Sequence, residues 1–230
     1  MASIASKLQQ VRRRIDDACT RAQRPVQSVT LLAVSKTFGV DAVREAHAAG
    51  QHALGENYVQ EALAKMGALA DLRGSIQWHL IGPLQSNKTR EVAEAFDWVH
   101  TIDRLKVAER LSAQRPAHLP PLQLCLQVNL SGEASKSGVA PREVAALARA
   151  VAALPMLRLR GLMSIPAPLE GVDAQRVPHR QLRELLLVLQ SQGLALDTLS
   201  MGMSADLEAA IAEGATIVRV GSAIFGTRSG

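Results

Sequence analysis

The sequence predicts an α/β fold, a single (β/α)8 TIM barrel preceded by one extra helix. Three observations lead there. Eight short apolar runs alternate with helical patterns along the 230 residues. Several runs are apolar at consecutive positions, as expected of parallel strands buried on both faces. Polar side chains gather where the runs end, and barrels keep their sites at the C-terminal ends of strands. An open doubly wound sheet is the competing architecture, and the strand count favours the barrel.

The elements follow in order. Residues 3–22 carry Ile4, Leu8, Val11, Ile15 and Ala18 at steps of three and four, one face of a helix, with Arg12, Arg13 and Arg14 on the other side. Pro25 closes that segment. Strand-like runs then fall at 29–36, 52–56, 77–81, 98–102, 122–129, 157–164, 198–202 and 217–221. Helical patterns occupy 40–49, 58–72, 88–96, 105–114, 142–154, 175–192 and 205–213. Gly50, Gly74, Gly193 and Gly214 sit where helices stop, the place for a left-handed C-terminal residue. No composition shift marks a linker, so one domain over 1–230 is expected.

Composition narrows the function. The apolar fraction is 47% and the aromatic fraction 3%, so the core is aliphatic. The net charge of +5 invites a nucleic-acid partner, but the basic residues are scattered and lack the aromatics that stack bases. Attraction for small anions, phosphates included, explains the charge equally well. Cys19 and Cys125 have no metal-ligand spacing and read as reduced packing residues of a cytoplasmic protein. No signal peptide is visible, and no apolar stretch reaches the ~18 residues of a membrane span.

The strand ends carry the chemistry. The run "LLAVSKT" ends in Lys36. An amine at an apolar strand end is suited to nucleophilic attack on an aldehyde, and a lysine that merely snorkels out of the mouth is the plainer alternative. In "SMGMSADLEAAI" Ser204 is a candidate N-cap. In "RVGSAIFG" Gly221 admits close approach of the backbone and Ser222 offers a hydroxyl. Loops after the seventh and eighth strands are a frequent phosphate site in such barrels, although each could be an ordinary capped turn. A lysine and a phosphate seat in one mouth suggest pyridoxal phosphate. Arg219 shares a strand face with Gly221, so it points into the barrel, either beside the cofactor ring or paired with a buried carboxylate. A guanidinium cannot accept a proton from a pyridine nitrogen. His79 is read as a packed, hydrogen-bonded histidine without metal-ligand spacing to the other five, and Tyr58 as either a cover for the cofactor or a helix start.

Several stretches together resemble the pyridoxal phosphate homeostasis proteins over essentially the whole chain: "LLAVSKT", "GENYVQEAL", "WHLIGPLQSNK", "QVNLSGEASKSG", "GLMSIP", "LSMGMSADLEAAI" and "VRVGSAIFG". The resemblance implies a barrel like the cofactor domain of alanine racemases. It implies that Lys36 carries pyridoxal 5′-phosphate as an internal aldimine, with Arg219 at the pyridine nitrogen and Ser204, Gly221 and Ser222 at the phosphate. Asn57, Met201 and Gly202 match positions near the cofactor, and Lys136 lies in a matching loop without an assigned role. It further implies a cytoplasmic monomer, without catalytic residues or a metal, that buffers the cofactor or delivers it to apo-enzymes. The alternative is a racemase of low activity. Racemisation needs a second base opposite Lys36, which in the related racemases comes from an additional C-terminal domain, and the barrel pattern leaves no residues to build one.

Overall fold

The computed structural model describes residues 2–132 and 137–226, so Lys136 lies outside the described residues. Eight parallel strands close into a barrel in sequence order. They are β1 (Thr30–Val34), β2 (Ala53–Glu56), β3 (Gln77–Leu80), β4 (Trp98–Ile102), β5 (Leu122–Gln127), β6 (Leu157–Met163), β7 (Thr198–Ser200) and β8 (Ile217–Val220). Seven helices connect them: α2 (Val40–Ala48), α3 (Val59–Ala68), α4 (Thr89–Ala95), α5 (Leu105–Gln114), α6 (Val144–Ala152), α7 (Val172–Ser191) and α8 (Leu207–Ala212). Helix α1 (Ile4–Arg21) precedes the barrel, and a short α9 (Ser222–Phe225) follows β8.

Burial on both faces accounts for the unbroken apolar runs. Leu32, Ala53, Trp98, Cys125, Met163 and Ile217 pack together inside the barrel. Their strand neighbours Leu31, Ala33, Leu54, Val99, Leu124 and Val218 pack outward beneath the helices. Register decides which polar residues enter the interior. Leu32 pairs with Arg219 across β1 and β8, and Gly55 pairs with His79 across β2 and β3. The extra helix is anchored by the face expected of it: Leu8, Val11, Ile15 and Ala18 are buried. Ser3 caps it through a hydrogen bond from Ser6 N, a contribution of about 1 kcal/mol. It lies against α2, α8 and α9, and so buttresses the last two strand loops from outside.

Four differences from the expected elements have physical causes. Most strands stop one or two residues before the predicted ends, because the ladder ends where the loops begin to turn. Gly74 is not left-handed: α3 stops at Ala68, and a 3-10 turn at Ala70–Leu72 intervenes. Gly50, Gly193 and Gly214 do take positive φ, at 79°, 90° and 97°. Helix α7 starts a turn early, after Gly171, with Pro178 inside it. Ser204 does not cap α8; Asp206 flanks that helix instead.

Candidate functional site

A cavity of about 540 Å³ opens at the C-terminal ends of the strands, within the roughly 300–1,000 Å³ typical of small-molecule sites. Six of the eight residues singled out in the sequence line it: Lys36, Asn57, Ser204, Arg219, Gly221 and Ser222. Met201 and Gly202 do not. Met201 is packed in the aliphatic core, and Gly202 lies behind the lining against α8.

Lys36 follows the last residue of β1 by two positions and is half-buried, less enclosed than its apolar strand suggests. Its amine has no hydrogen bond or ion pair among the described residues. Thr37 has φ of +68°, an unusual conformation for a β-branched residue. Phe38 lines the cavity and stacks on Phe225 of α9, ring centroids 5.2 Å apart. At the end of the neighbouring strand β2, Asn57 is fixed by backbone packing: a Cβ on Gly82 would lie 2.0 Å from Asn57 O. Asn57 Oδ1 is buried without a partner among the described residues. Behind Lys36, Glu56 is fully buried and its carboxyl is raised above the usual range by burial, against the hydrogen bonds from Lys65 and Ser35.

Arg219 forms the cavity floor. Among the described residues it pairs with no carboxylate. Nη1 donates to Ser200 O (2.6 Å) and Ser200 Oγ (2.8 Å), and Nη2 donates to Ser164 O (2.8 Å). Burial lowers its pKa to about 10, so it remains charged at neutral pH. Ser200 Oγ continues to His100 Nδ1 at 2.8 Å, and His100 Nε2 meets His79 Nδ1 at 2.9 Å. Burial brings His79 down to about 3 and His100 well below its ordinary value, so both rings are neutral. His79 stacks on Trp98 at 5.3 Å, and Arg160 covers the indole at 5.1 Å. The hydrogen-bonded role expected of His79 holds. Its partner His100 escaped sequence spacing because the two are neighbours across β3 and β4, 21 positions apart. Among the described residues no group of three or more His, Cys, Asp or Glu could hold a metal ion.

The third wall comes from the loops after β7 and β8. Backbone N–H groups of Ser204, Ala205, Gly221, Ser222 and Ala223 find no acceptor among the described residues. The first loop is shaped by Asp206, whose Oδ1 accepts from Met203 N (2.7 Å) and whose Oδ2 meets His179 Nε2 (3.0 Å). Burial would raise the Asp206 carboxyl, but the bonds from His179 and Met203 outweigh it and hold the pKa low. From α1, Arg14 donates to Ser204 O and pairs with Glu208. The sequence reading missed Asp206, Arg14, Phe38, Ile165 and Met203; the "SAD" turn was the visible signal for the first of these. Tyr58 is 58% exposed, does not line the cavity, and flanks the start of α3.

Comparison with known proteins agrees with this geometry. Residues 6–229 match the model of the alanine racemase N-terminal domain. A pyridoxal phosphate homeostasis protein of Pseudomonas aeruginosa is 61% identical over 228 residues, covering 99% of this chain and 97% of that one. Its counterpart in Escherichia coli K12 is 54% identical over 229 residues, with 99% and 98% covered. The chain belongs to the pyridoxal phosphate homeostasis protein family. The solved structure of PipY from Synechococcus elongatus with PLP bound is 41% identical, with a TM-score of 0.85, over 97% of this chain and 100% of that one. An alanine racemase of Clostridium difficile shares the fold at a TM-score of 0.73 and 12% identity, with 95% of this chain and 57% of the racemase covered. No helix among the described residues is long and apolar enough to cross a membrane.

Proposed function

We propose that the protein holds pyridoxal 5′-phosphate in this cavity, attached covalently through Lys36, and that residues 1–230 act as one unit that buffers the cofactor or hands it to apo-enzymes. One observation carries the reading: an unpaired amine, a buried guanidinium and two loops with free N–H groups converge on a single cavity. When bound, the cofactor supplies an aldehyde for the amine, a dianionic phosphate for the loops and a ring nitrogen for Arg219. Ser204, Gly221 and Ser222 would hold the phosphate, and the unpartnered Asn57 Oδ1 is an acceptor for a ring hydroxyl. Arg219 can only donate, so it keeps the facing nitrogen unprotonated and withholds the electron sink that carbanion chemistry needs. PLP bound to PipY supports the same occupant.

The racemase reading is weaker. Proton exchange on both faces of a substrate carbon needs two bases. Among the described residues lining the cavity, Lys36 is the single side chain able to serve as one. A chiral assay across the common amino acids should show turnover far below the ~1 per second of an ordinary enzyme; ordinary rates would make this protein a racemase.

The visible spectrum of the protein as purified tests the main reading. Wild type is expected to carry an absorbing cofactor that borohydride fixes to Lys36 in peptide mapping, and Lys36→Ala to lack it. A label on another lysine, or none, refutes covalent holding at Lys36. Delivery requires that the loaded protein restore an apo-enzyme faster than its cofactor escapes into solution; equal rates would leave storage alone.

A further inference from the structure

The turn that presents Lys36 is held on both sides by a group of charges, buried Glu56 and Lys65 with partly exposed Glu61, that never reaches the cavity. Before Lys36, Ser35 Oγ donates to Glu56 Oε1 (2.6 Å) and Ser35 O accepts from Lys65 Nζ (2.7 Å). After it, Thr37 N donates to Glu61 Oε1 (2.5 Å). Lys65 ties the two sides together, since its Nζ also bonds Glu56 Oε1 (2.8 Å) and Glu61 Oε1 (2.7 Å). All three ammonium protons are thus spent on the turn or on the carboxylates that hold it.

Two features make this more than packing. Lys65 is 5% exposed and Glu56 is fully buried, although a buried ion pair can often be replaced by apolar residues without loss of stability. In addition, Thr37 is held at φ +68°, and backbone strain of this kind persists only where surrounding contacts over-determine it. Two contacts do so here: Phe38 N donates to Ser35 O at 3.1 Å and closes the turn, and Glu61 fixes the Thr37 amide directly. Glu61 and Lys65 stand four residues apart on one face of α3, so the helix carries the clamp as a rigid piece.

We propose that Glu56, Glu61 and Lys65 are positioning residues that preset the Ser35–Lys36–Thr37 turn, so that the Lys36 amine stands in the cavity ready to react. None of the three lines the cavity, and each acts through the backbone beside Lys36. The role in cofactor attachment rests on the function proposed above; the clamp itself does not.

The test therefore has a readout without cofactor. Hydrogen exchange of the Thr37 amide is measured in wild type, Glu61→Ala, Glu61→Gln and the same variants in a Thr37→Gly background. Attachment of pyridoxal phosphate is followed in parallel, and borohydride-fixed product is mapped to Lys36. Glu61→Ala is expected to speed exchange and to slow attachment by about tenfold or more, since small misplacements of a reacting group are costly. Glu61→Gln, which keeps an acceptor for the amide, recovers most of both effects. Glycine adopts positive φ without strain, so in the Thr37→Gly background the attachment penalty of Glu61→Ala should shrink to within about threefold, a coupling that a double-mutant cycle isolates. A Glu61→Ala protein with wild-type exchange and attachment overturns the clamp, as does an undiminished penalty with glycine at position 37. If wild type itself does not attach the cofactor at Lys36, the proposed function fails, while exchange at residue 37 still decides the clamp.

Discussion

Gly202→Ala offers the sharpest quantitative test of how the mouth is built. Gly202 has φ of +92°, and its carbonyl accepts the Arg219 N–H at 2.9 Å. A Cβ there would lie 2.6 Å from Ala210 Cβ and 3.4 Å from Leu207 Cα and Val218 Cγ1. Carbon atoms rest about 3.5–4.0 Å apart, so α8 must retreat by close to an ångström. The backbone conformation contributes about 1–3 kcal/mol of strain to an L-residue, and the overpacking about 1–3 kcal/mol more. The sum, about 2–6 kcal/mol, is a large share of an ordinary domain's stability. The assay is urea unfolding of wild type, Gly202→Ala, Ala210→Gly and the double variant. Ala210→Gly alone should cost about 1 kcal/mol, the ordinary penalty of glycine in a helix. In the double variant the clash is gone but the φ strain stays, so the two changes should couple favourably by about 1–3 kcal/mol. Strict additivity would show that contact with α8 does not constrain this glycine. A Gly202→Ala protein within about 0.5 kcal/mol of wild type would refute both parts of the argument.

Three further outcomes follow from the same geometry. His79 is neutral down to about 3 in the fold, whereas an unfolded histidine titrates near 6.5; its stabilisation is complete above that value and declines on acidification by up to about 1.4 kcal/mol per pH unit. Urea midpoints between pH 7 and 5 should show a shallower slope in His79→Phe than in wild type, and equal slopes would contradict the neutral buried ring. Burial raises the Cys19 thiol and pushes Cys125 up to about 12, so a thiol reagent should label neither in the native protein and both in denaturant; rapid native labelling of Cys125 would show that the barrel opens, and of Cys19 that α1 lifts away. Gly82→Ala places a Cβ against Asn57 O, so it should cost about 1–3 kcal/mol and weaken cofactor binding, measured by spectral titration, more than an Asn57→Ala change does.

The barrel was readable because its signal is redundant. Eight strands buried on both faces write eight apolar runs, and an error of one or two residues at an end changes neither their order nor their pairing. Parity was readable too: a period of two placed Arg219 and Gly221 on one face, and both line the cavity. What the sequence withheld depends on geometry between elements. Ser204 has the side chain of a helix cap, yet the loop turns two residues further, and Asp206 takes the place at the helix flank because it also meets His179 of α7. The partnership of His79 with His100 follows from the β3–β4 register and leaves no mark in spacing. The role of Lys65 is likewise hidden. On a helical wheel it is an ordinary charged position, and only the fold brings the Ser35 carbonyl to its ammonium group.

The polarity of the interior chain links these buried residues to the choice of ligand. Arginine has donors only, so Ser200 Oγ must accept from Arg219. If the serine proton then goes to His100 Nδ1, His100 carries its own proton on Nε2 and donates to His79 Nδ1. One group is left over, the His79 Nε2–H, and among the described residues that nitrogen is indeed buried without a partner. The reverse direction would strand both the serine proton and a ring lone pair, at a further cost of about 1–3 kcal/mol. The chain therefore runs outward from Arg219, and nothing along it can take the guanidinium's proton. Nor does any carboxylate among the described residues pair with that charge; Asp206 acts on it only at a distance, and its own oxygens face His179 and Met203. A buried charge without a close counter-ion favours whatever anion enters beside it. A ligand that offers Arg219 a neutral ring nitrogen as acceptor and the two loops a phosphate satisfies the donor and brings negative charge into the same cavity, whereas a cationic amine would be repelled by Arg219.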